Sequence, residues 1–443
     1  MAKDKKAAKE LTMEEKLAQA FVPVEEQPYK IPENWCWVYL TGGFAECLDS
    51  FRKPINATER VSRNGDIPYY GATGQVGWIN DFLTDEQLVL VGEDGAPFLD
   101  LLKDKAYIIK GKAWVNNHAH VLRSYFGNIG NYYLLHYLNC FDYTNYVNGT
   151  TRLKLTQANM NRIPVPLSPL KEQGRIVDRI ESIFSKLDEA KEKAQAVVDG
   201  FELRKSAILH KAFTGELTKQ WREKQGLTLK SWKHKKFSEI CDVVRGGSPR
   251  PAGNPKFYGG SIPFMKVADI TQNNSPFVSS TKHTIKEEGL KKTRMVAPNT
   301  LLLTNSGATL GVPAITLIQT TFNDGIAAFL NLKSDNLLFY YYFWMSKTNE
   351  LRGINKGAAQ PNLNTDIIGA IEIDIPKEDE QTQIVMILKY LIGKEEQVKE
   401  AAESVIEKIE TMKKTVLACA FRGKLGTNDL SEVKAVEVLK QVL

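Results

Sequence analysis

Two imidazoles two residues apart, His118 and His120, and one adjacent acidic pair, Glu93-Asp94, are the side chains in this 443-residue sequence best suited to binding a metal or moving a proton. On a strand, residues i and i+2 share a face, so both histidines could ligate one ion. No cysteine or carboxylate stands at a recognised ligand spacing beside them, and they read as structural or surface histidines. Glu93-Asp94 could serve a nuclease, but no Lys follows a second carboxylate at the required spacing, and that loop reads as structural or contact-making. Phosphate loops, dinucleotide turns, His-Glu-x-x-His and Gly-x-Ser-x-Gly elbows do not occur. The five cysteines are an odd number without paired spacing, which argues against a disulfide framework or a zinc ribbon. The chain is expected to be non-catalytic, with no metal and no cofactor of its own.

Groups able to hold a polyanion are more plentiful. The net charge of +6 and pI near 8.8 are a modest lean toward polyanions and by themselves decide little. Lys and Arg contact phosphates, while Arg, Asn, Gln, Ser and Thr read base edges. Such residues fall beside Gly, Asn, Ser and aromatics in predicted loops. They give a candidate DNA-binding set of Arg52, Lys53, Arg63, Lys112, Asn116, Arg152 and Lys154, then Arg245, Arg250, Lys266, Asn305, Ser306, Lys356, Gln360 and Asn362. Taken singly, most cations of this kind are solvated surface charges. Asn254-Pro255-Lys256-Phe257 has a superficial likeness to the Asn/Asp-Pro-Pro-Tyr/Phe motif of amino-methyltransferases, but it lacks the second proline and no cofactor-binding glycine motif accompanies it.

The elements that must carry these residues are duplicated. Residues 149 to 218 return in one ungapped register as residues 357 to 426, pairing Glu172-Gln173 with Glu380-Gln381 and Ala212-Phe213-Thr214-Gly215 with Ala420-Phe421-Arg422-Gly423. So long a spacing means duplicated domains, not a stacked solenoid. In the first copy Ile176, Ile180, Ile183, Leu187, Ala190, Ala194, Val197, Phe201 and Ile208 form an a/d seam with Arg204 its one polar interruption. In the second, Ile384, Leu388, Leu391, Val398, Ala402, Val405, Ile409, Met412 and Val416 do so, with Glu395 the one polar member. Both predict long helices that pair with each other, struts of about 60 Å. Pro169 and Pro376 precede acidic first turns, Gly215 and Gly423 stand where the helices should stop, and Gly200 weakens the first rod by about 1 kcal/mol.

Before each helix lies a mixed, strand-rich segment. Gly65-Asp66-Ile67-Pro68-Tyr69 matches Gly260-Ser261-Ile262-Pro263-Phe264, Gln87-Leu88-Val89-Leu90 matches Thr300-Leu301-Leu302-Leu303, and Val115-Asn116-Asn117 matches Phe322-Asn323-Asp324, at shifting offsets. One fold with diverged loops is implied. No apolar run of about 18 residues exists and no signal peptide is visible, so a cytoplasmic protein without a membrane partner is expected.

Two variable segments, each followed by a Pro/Glu-Gln/Ile-Val helix start and a helix ending in Ala-Phe-x-Gly-x-Leu, resemble the DNA-specificity subunit of type I restriction-modification systems. The resemblance spans nearly the whole chain and includes Leu217-Thr218-Lys219-Gln220-Trp221-Arg222 and Gly357-Ala358-Ala359-Gln360-Pro361-Asn362-Leu363-Asn364. It implies an α+β fold: two mixed, strand-rich target-recognition domains joined by two long antiparallel coiled-coil helices, pseudo-twofold. The expected division is an N-terminal helical segment (1–29), recognition domain 1 (30–168), a central helix region (169–222), recognition domain 2 (228–376), a C-terminal helix region (377–426) and a tail (427–443). It further implies a subunit that reads a bipartite sequence in double-stranded DNA and assembles two modification subunits and restriction/motor subunits, which bring S-adenosylmethionine, ATP and Mg. Ile180, Leu187, Phe213, Leu388, Leu391 and Phe421 are the coiled-coil or subunit-docking candidates. A two-headed protein-interaction scaffold and a stand-alone DNA-modifying enzyme are the alternatives.

Overall fold

The computed structural model describes residues 11–307, 309–332, 334–354 and 363–443. The chain divides into two compact units, Met1–Gln195 with Glu403–Leu443, and Ala196–Ala402.

In the first unit, β1 (Cys36–Tyr39) starts the fold and β2 (Ala45–Cys47) follows. Then come β3 (Ile67–Gly71), β4 (Gly74–Ile79), β5 (Thr84–Asp85), β6 (Leu88–Gly92), β7 (Ala106–Ile109), β8 (Lys112–Val115), β9 (Ala119–Ser124) and β10 (Pro164–Leu167). One sheet has the order β2-β9-β6-β7, all antiparallel, and a second the order β4-β3-β8-β5, in which β3 and β8 run parallel. β1 and β10 form a separate antiparallel pair. Every residue of β6 is buried, which explains its unbroken apolar run. Val89 and Val91 join the core built on helix Gly127–Cys140, while Leu88 and Leu90 face a second core containing Ala113 and Val115 of β8. A strand covered on both faces has no polar side to alternate with.

The second unit repeats the plan. Its strands are β11 (Lys233–Lys236), β12 (Asp242–Arg245), β13 (Tyr258–Met265), β14 (Phe277–Val278), β15 (His283–Ile285), β16 (Arg294–Val296), β17 (Thr300–Thr304), β18 (Pro313–Thr316), β19 (Thr320–Phe322), β20 (Ile326–Leu330) and β21 (Glu372–Ile375). Their orders are β12-β20-β17-β18-β14, β15-β13-β19-β16 and β11-β21. The parallel β13–β19 pair stands where β3–β8 does, and β17 where β6 does. Among the described residues β14 has no counterpart in the first unit. Each matched sequence phrase thus falls on an equivalent strand.

The helices start on a shared clamp. In the first unit the Trp35 indole donates to buried Glu172 at 2.8 Å and Gln173 Nε2 donates to the Ser168 carbonyl at 3.1 Å. In the second, Trp232 donates to Glu380 at 2.9 Å and Gln381 to the Pro376 carbonyl at 3.0 Å. The Glu-Gln dipeptide recurs because it ties an opening Trp to a helix start. The first long helix runs Leu170–Asp199 and resumes as Phe201–Phe213; the second runs Glu378–Ala420. Gly200 lies at the break, where an added Cβ would meet the Arg204 guanidinium at 2.5 Å. Gly215 and Gly423 follow the helix ends with φ of +76° and +67°, a left-handed backbone that glycine adopts without cost.

Within each unit the helical stretches pair antiparallel. In the first, Asp188 meets Lys413 at 2.5 Å and Lys191 meets Glu410 at 2.6 Å, one position rising as the other falls. In the second, Arg204 and Glu395, the two polar members of the seams, pair at 2.6 Å. The seam itself needs correction. Ile384, Leu388, Ala402 and Ile409 are buried, but Val398, Val405 and Met412 are 49, 44 and 49% exposed, and Ile392, not Leu391, is buried. A straight helix drifts by about 20° per heptad relative to a strict 3.5 repeat. At its start the second long helix also packs on a globular core instead of a single helix, so Ile384, Val385, Leu388 and Ile392 share a wider buried face.

Candidate nucleic-acid interface

Because β3 and β8 are parallel, with Tyr69 beside Trp114 and Tyr70 beside Val115, their C-terminal ends emerge together. There they meet the end of β6 and the start of β9, which pair as Gly92 with Ala119. This end of the first unit gathers Asp49, Arg52, Glu93, Asp94, Asn116, Asn117, His118 and His120, with Arg152 and Lys154 arriving on the return segment.

The two histidines find acidic partners that local spacing hid. His118 Nδ1 lies 2.8 Å from Asp94, and His120 Nδ1 lies 2.6 Å from Asp49 Oδ2. His120 Nε2 faces the Leu155 carbonyl at 2.8 Å. Both its ring nitrogens are thus engaged by oxygen atoms of the fold. Asp49, Glu93 and His120 have ligand atoms within 4.8 Å of one another, the closeness a metal needs. The protein supplies its own cations instead: Arg52 bonds both Asp49 and Glu93, and Lys154 meets Glu93 at 2.9 Å. With Arg52 and Lys154 set against its carboxylates, the cluster forms an ion network within the fold. Burial pushes the Asp49 carboxyl up, but His120, the Val121 N–H and Arg52 outweigh it and hold it below the usual range. For Glu93, burial is likewise outweighed by Lys154 and Arg52.

In the second unit the same end is built from Arg245, Ser248, Arg250, Lys266, Asn305, Ser306, Asn323 and Asp324. Arg245 Nε donates to the Asp324 carbonyl at 2.6 Å, the Ser248 hydroxyl to its carboxylate at 2.5 Å, and Arg250, 71% exposed, stands 3.7 Å away. Asn323 N–H donates to the Met265 carbonyl at 3.0 Å, as Asn116 N–H does to Tyr70 at 3.1 Å. The Asn305 side chain is fully buried, and its amide has no hydrogen-bond partner among the described residues. Lys256 and Lys292 flank the Phe257 ring at 5.9 and 4.9 Å.

The sequence candidates divide accordingly. Lys53 is exposed at the loop end of the first unit. Arg52, Asn116, Arg152 and Lys154 reach it too, but Asn116 is buried, Arg52 is half-buried and bonded to Asp49 and Glu93, and Arg152 and Lys154 are bonded to Asp94 and Glu93. Arg63 and Lys112 are not brought there. They stand at the opposite end of the parallel pair, Arg63 over Trp114 and 3.3 Å from Asp81, Lys112 over Phe82. Arg245, Arg250, Lys266, Asn305 and Ser306 do converge in the second unit, while Lys356, Gln360 and Asn362 lie outside the described residues. Of the coiled-coil and docking candidates, Ile180 and Leu388 are buried, and Leu187 and Leu391 are half-buried. Phe213 packs on Phe339 and Phe343. Phe421 is enclosed by Tyr133 and Tyr137 at 5.0 and 5.1 Å, so its ring offers no docking surface. Sequence reasoning missed Asp49, Ser248 and the pairing of Glu93-Asp94 with the histidines. Its one usable signal was the shared Asn116 and Asn323 position.

Two copies of one strand plan, each with polar and basic loops at the same end, meet a matching family model: the type I restriction modification DNA specificity domain, over residues 32–198 and 230–408. The chain belongs to this family. Relatives of this specificity chain include a putative type I restriction enzyme specificity subunit of Haemophilus influenzae, 27% identical over 78% of this chain and 84% of that one. The EcoDI specificity subunit of Escherichia coli is 20% identical over 89 and 90%. The HsdS subunit of Thermoanaerobacter tengcongensis shares the fold, with TM-score 0.60 and 19% identity over 91% of this chain and all of that one. A chain solved in work on assembly and conformational transition of the type I system gives 0.63 and 19% over 90 and 100%. Among the described residues no helix is long and apolar enough to cross a membrane.

Proposed function

We propose that this DNA-recognition subunit reads a two-part target, one half-site per unit, and that its paired helices set the gap between the halves. The observation that carries the reading is the contrast at the loop ends. Apart from β14 the two units share their strand order, but one presents a network of Arg52, Lys154 and two histidines on Asp49, Glu93 and Asp94, and the other a smaller cluster of Arg245, Ser248 and Arg250 on Asp324. A common scaffold with unlike loops suits two recognition tasks. In this reading two modification subunits bring S-adenosylmethionine, and restriction/motor subunits bring ATP and Mg. The described network of Asp49, Glu93 and His120 is already neutralised from within, which supports a chain that supplies the address and leaves methyl transfer and cleavage to partners. Sequencing the methylated bases of a host genome tests this: a bipartite motif is expected, and inserting four residues near Val197 should change its gap. A continuous motif, an unchanged gap, or methyl transfer by the isolated chain would overturn the proposal.

A further inference from the structure

If the first unit reads one half-site, as proposed above, its free polar groups identify the readers. At its loop end a cleft of about 530 Å³ opens beside helix Ala57–Ser62, lined among others by Asn56, Arg60, Tyr69, Asn116, Asn117 and His118. Most of the polar groups in and around it are already bonded. Arg52, Arg152 and Lys154 hold carboxylates. Asn56 Oδ1 accepts the Glu59 N–H at 2.8 Å, and Asn116 Oδ1 accepts the His118 N–H at 2.8 Å.

Arg60 and Asn117 differ. Among the described residues Arg60 has no carboxylate within ion-pair distance. Its guanidinium lies over the buried Tyr69 ring, 5.2 Å from the centroid. A planar guanidinium held against an aromatic ring keeps its N–H edge available for a bidentate partner. Asn117 is exposed, and its side-chain amide makes no hydrogen bond among the described residues. Its backbone is fixed from both sides: Asn116 is buried and bonded to Tyr70, and His118 is tethered to Asp94, which Arg152 holds in turn. Free heads on locked supports are what precise recognition needs. Arg matches the O6/N7 edge of guanine and Asn the N6/N7 edge of adenine, each with two hydrogen bonds.

We propose that Arg60 and Asn117 read base edges in one and the same half of the target, and that Tyr69 positions Arg60 while Asp94, His118 and Asn116 position Asn117. Asn117 is exposed, so N117A tests the idea even where a change at Arg60 disturbs the loop. R60A, R60K and N117A would be expressed with the modification partner, and the methylated motif read from the host genome by single-molecule sequencing. Purified complexes would then be titrated with the wild-type duplex and its single-base variants at several salt concentrations. Each variant is expected to relax one base position in the same half, discrimination there falling roughly 10- to 100-fold, with the other half unchanged. R60K keeps the charge but loses the planar fork, so it should relax the same position as R60A. An unchanged motif in all three variants would overturn the proposal. So would uniform weakening on every duplex with a shallower salt dependence, the mark of a phosphate contact. Should the unaltered complex show no two-part motif, the functional reading itself fails, and that result is seen before any variant is made.

Discussion

Glu172 and Glu380 occupy matching places in the duplicated helix starts, yet removing them should cost different amounts. Glu380 accepts from Thr218 at 2.7 Å, Arg222 at 2.6 Å and Trp232 at 2.9 Å, and the Glu380 and Arg222 side chains are 1 and 5% exposed. Glu172 accepts from Trp35 at 2.8 Å and Thr427 at 3.4 Å, while the neighbouring Arg175 is bonded to Glu432 instead. E380A leaves a buried guanidinium without its carboxylate, at a cost of about 3 to 5 kcal/mol. E172A orphans an indole N–H and a hydroxyl, about 1 to 3 kcal/mol. At roughly 2 to 4 °C per kcal/mol for units of this size, E380A should lower its unit's melting temperature by roughly 6 to 20 °C. The glutamines sharpen the contrast. Burial pushes the Glu172 carboxyl up, only partly countered by Trp35 and Arg175. E172Q therefore removes a buried charge while keeping an acceptor for Trp35, and should be neutral or stabilising at pH 7. E380Q strands Arg222 and should be clearly destabilising. Thermal and guanidinium melts followed by tryptophan fluorescence decide the matter. Equal losses for the two alanine variants, or E172Q as damaging as E380Q, would refute the reasoning.

Three further outcomes follow from the packing and charge. Arg204 and Glu395 are 37 and 24% exposed, so a double-mutant cycle should give only about 0.5 to 1 kcal/mol of coupling; a value several-fold larger or no coupling would show that the pair is misjudged. F421A empties an enclosed site and should cost about 3 to 5 kcal/mol in denaturant melts, whereas F213A, half-buried, should cost less; the reverse order would contradict the packing. Asp49 is held below its usual range, so its charged form stabilises the fold above about pH 4 and that contribution fades as pH falls through the lowered value. D49N should therefore lower the melting temperature at pH 7 and flatten the acid limb of a pH series, and an acid limb identical to that of the unaltered chain would count against it.

The repeated phrases made the shared fold legible, because Ile67-Pro68-Tyr69 and Ile262-Pro263-Phe264, or Leu88-Val89-Leu90 and Leu301-Leu302-Leu303, fall on the same strands of one plan. The helices were legible in extent, and less so in which residues face inward. A heptad count marks Val398, Val405 and Met412 as seam, yet the buried stripe turns away from them as the helix leaves its globular support. The loop-end network was illegible for a different reason. His120 meets Asp49 across 71 positions and Arg152 meets Asp94 across 58, so composition revealed the groups without revealing that they neutralise one another. A cation counted in a sequence is available to DNA only if no carboxylate has reached it first, and that depends on the fold. Arg60 and Asn117 stand out only after their neighbours are seen to be engaged.

The first unit is assembled from distant stretches: residues 403–443 complete a body begun in the first 195, and Ala435, Val438 and Leu439 are enclosed in the same core as Trp35 and Phe44. The second unit is one continuous stretch, Ala196–Ala402. On the ribosome, therefore, the unit that begins first finishes last. Its half-built core must wait, apolar faces uncovered, while the whole of its sibling is made and can fold. Truncation near the carboxyl end should for that reason damage the amino-terminal body and spare the middle of the chain.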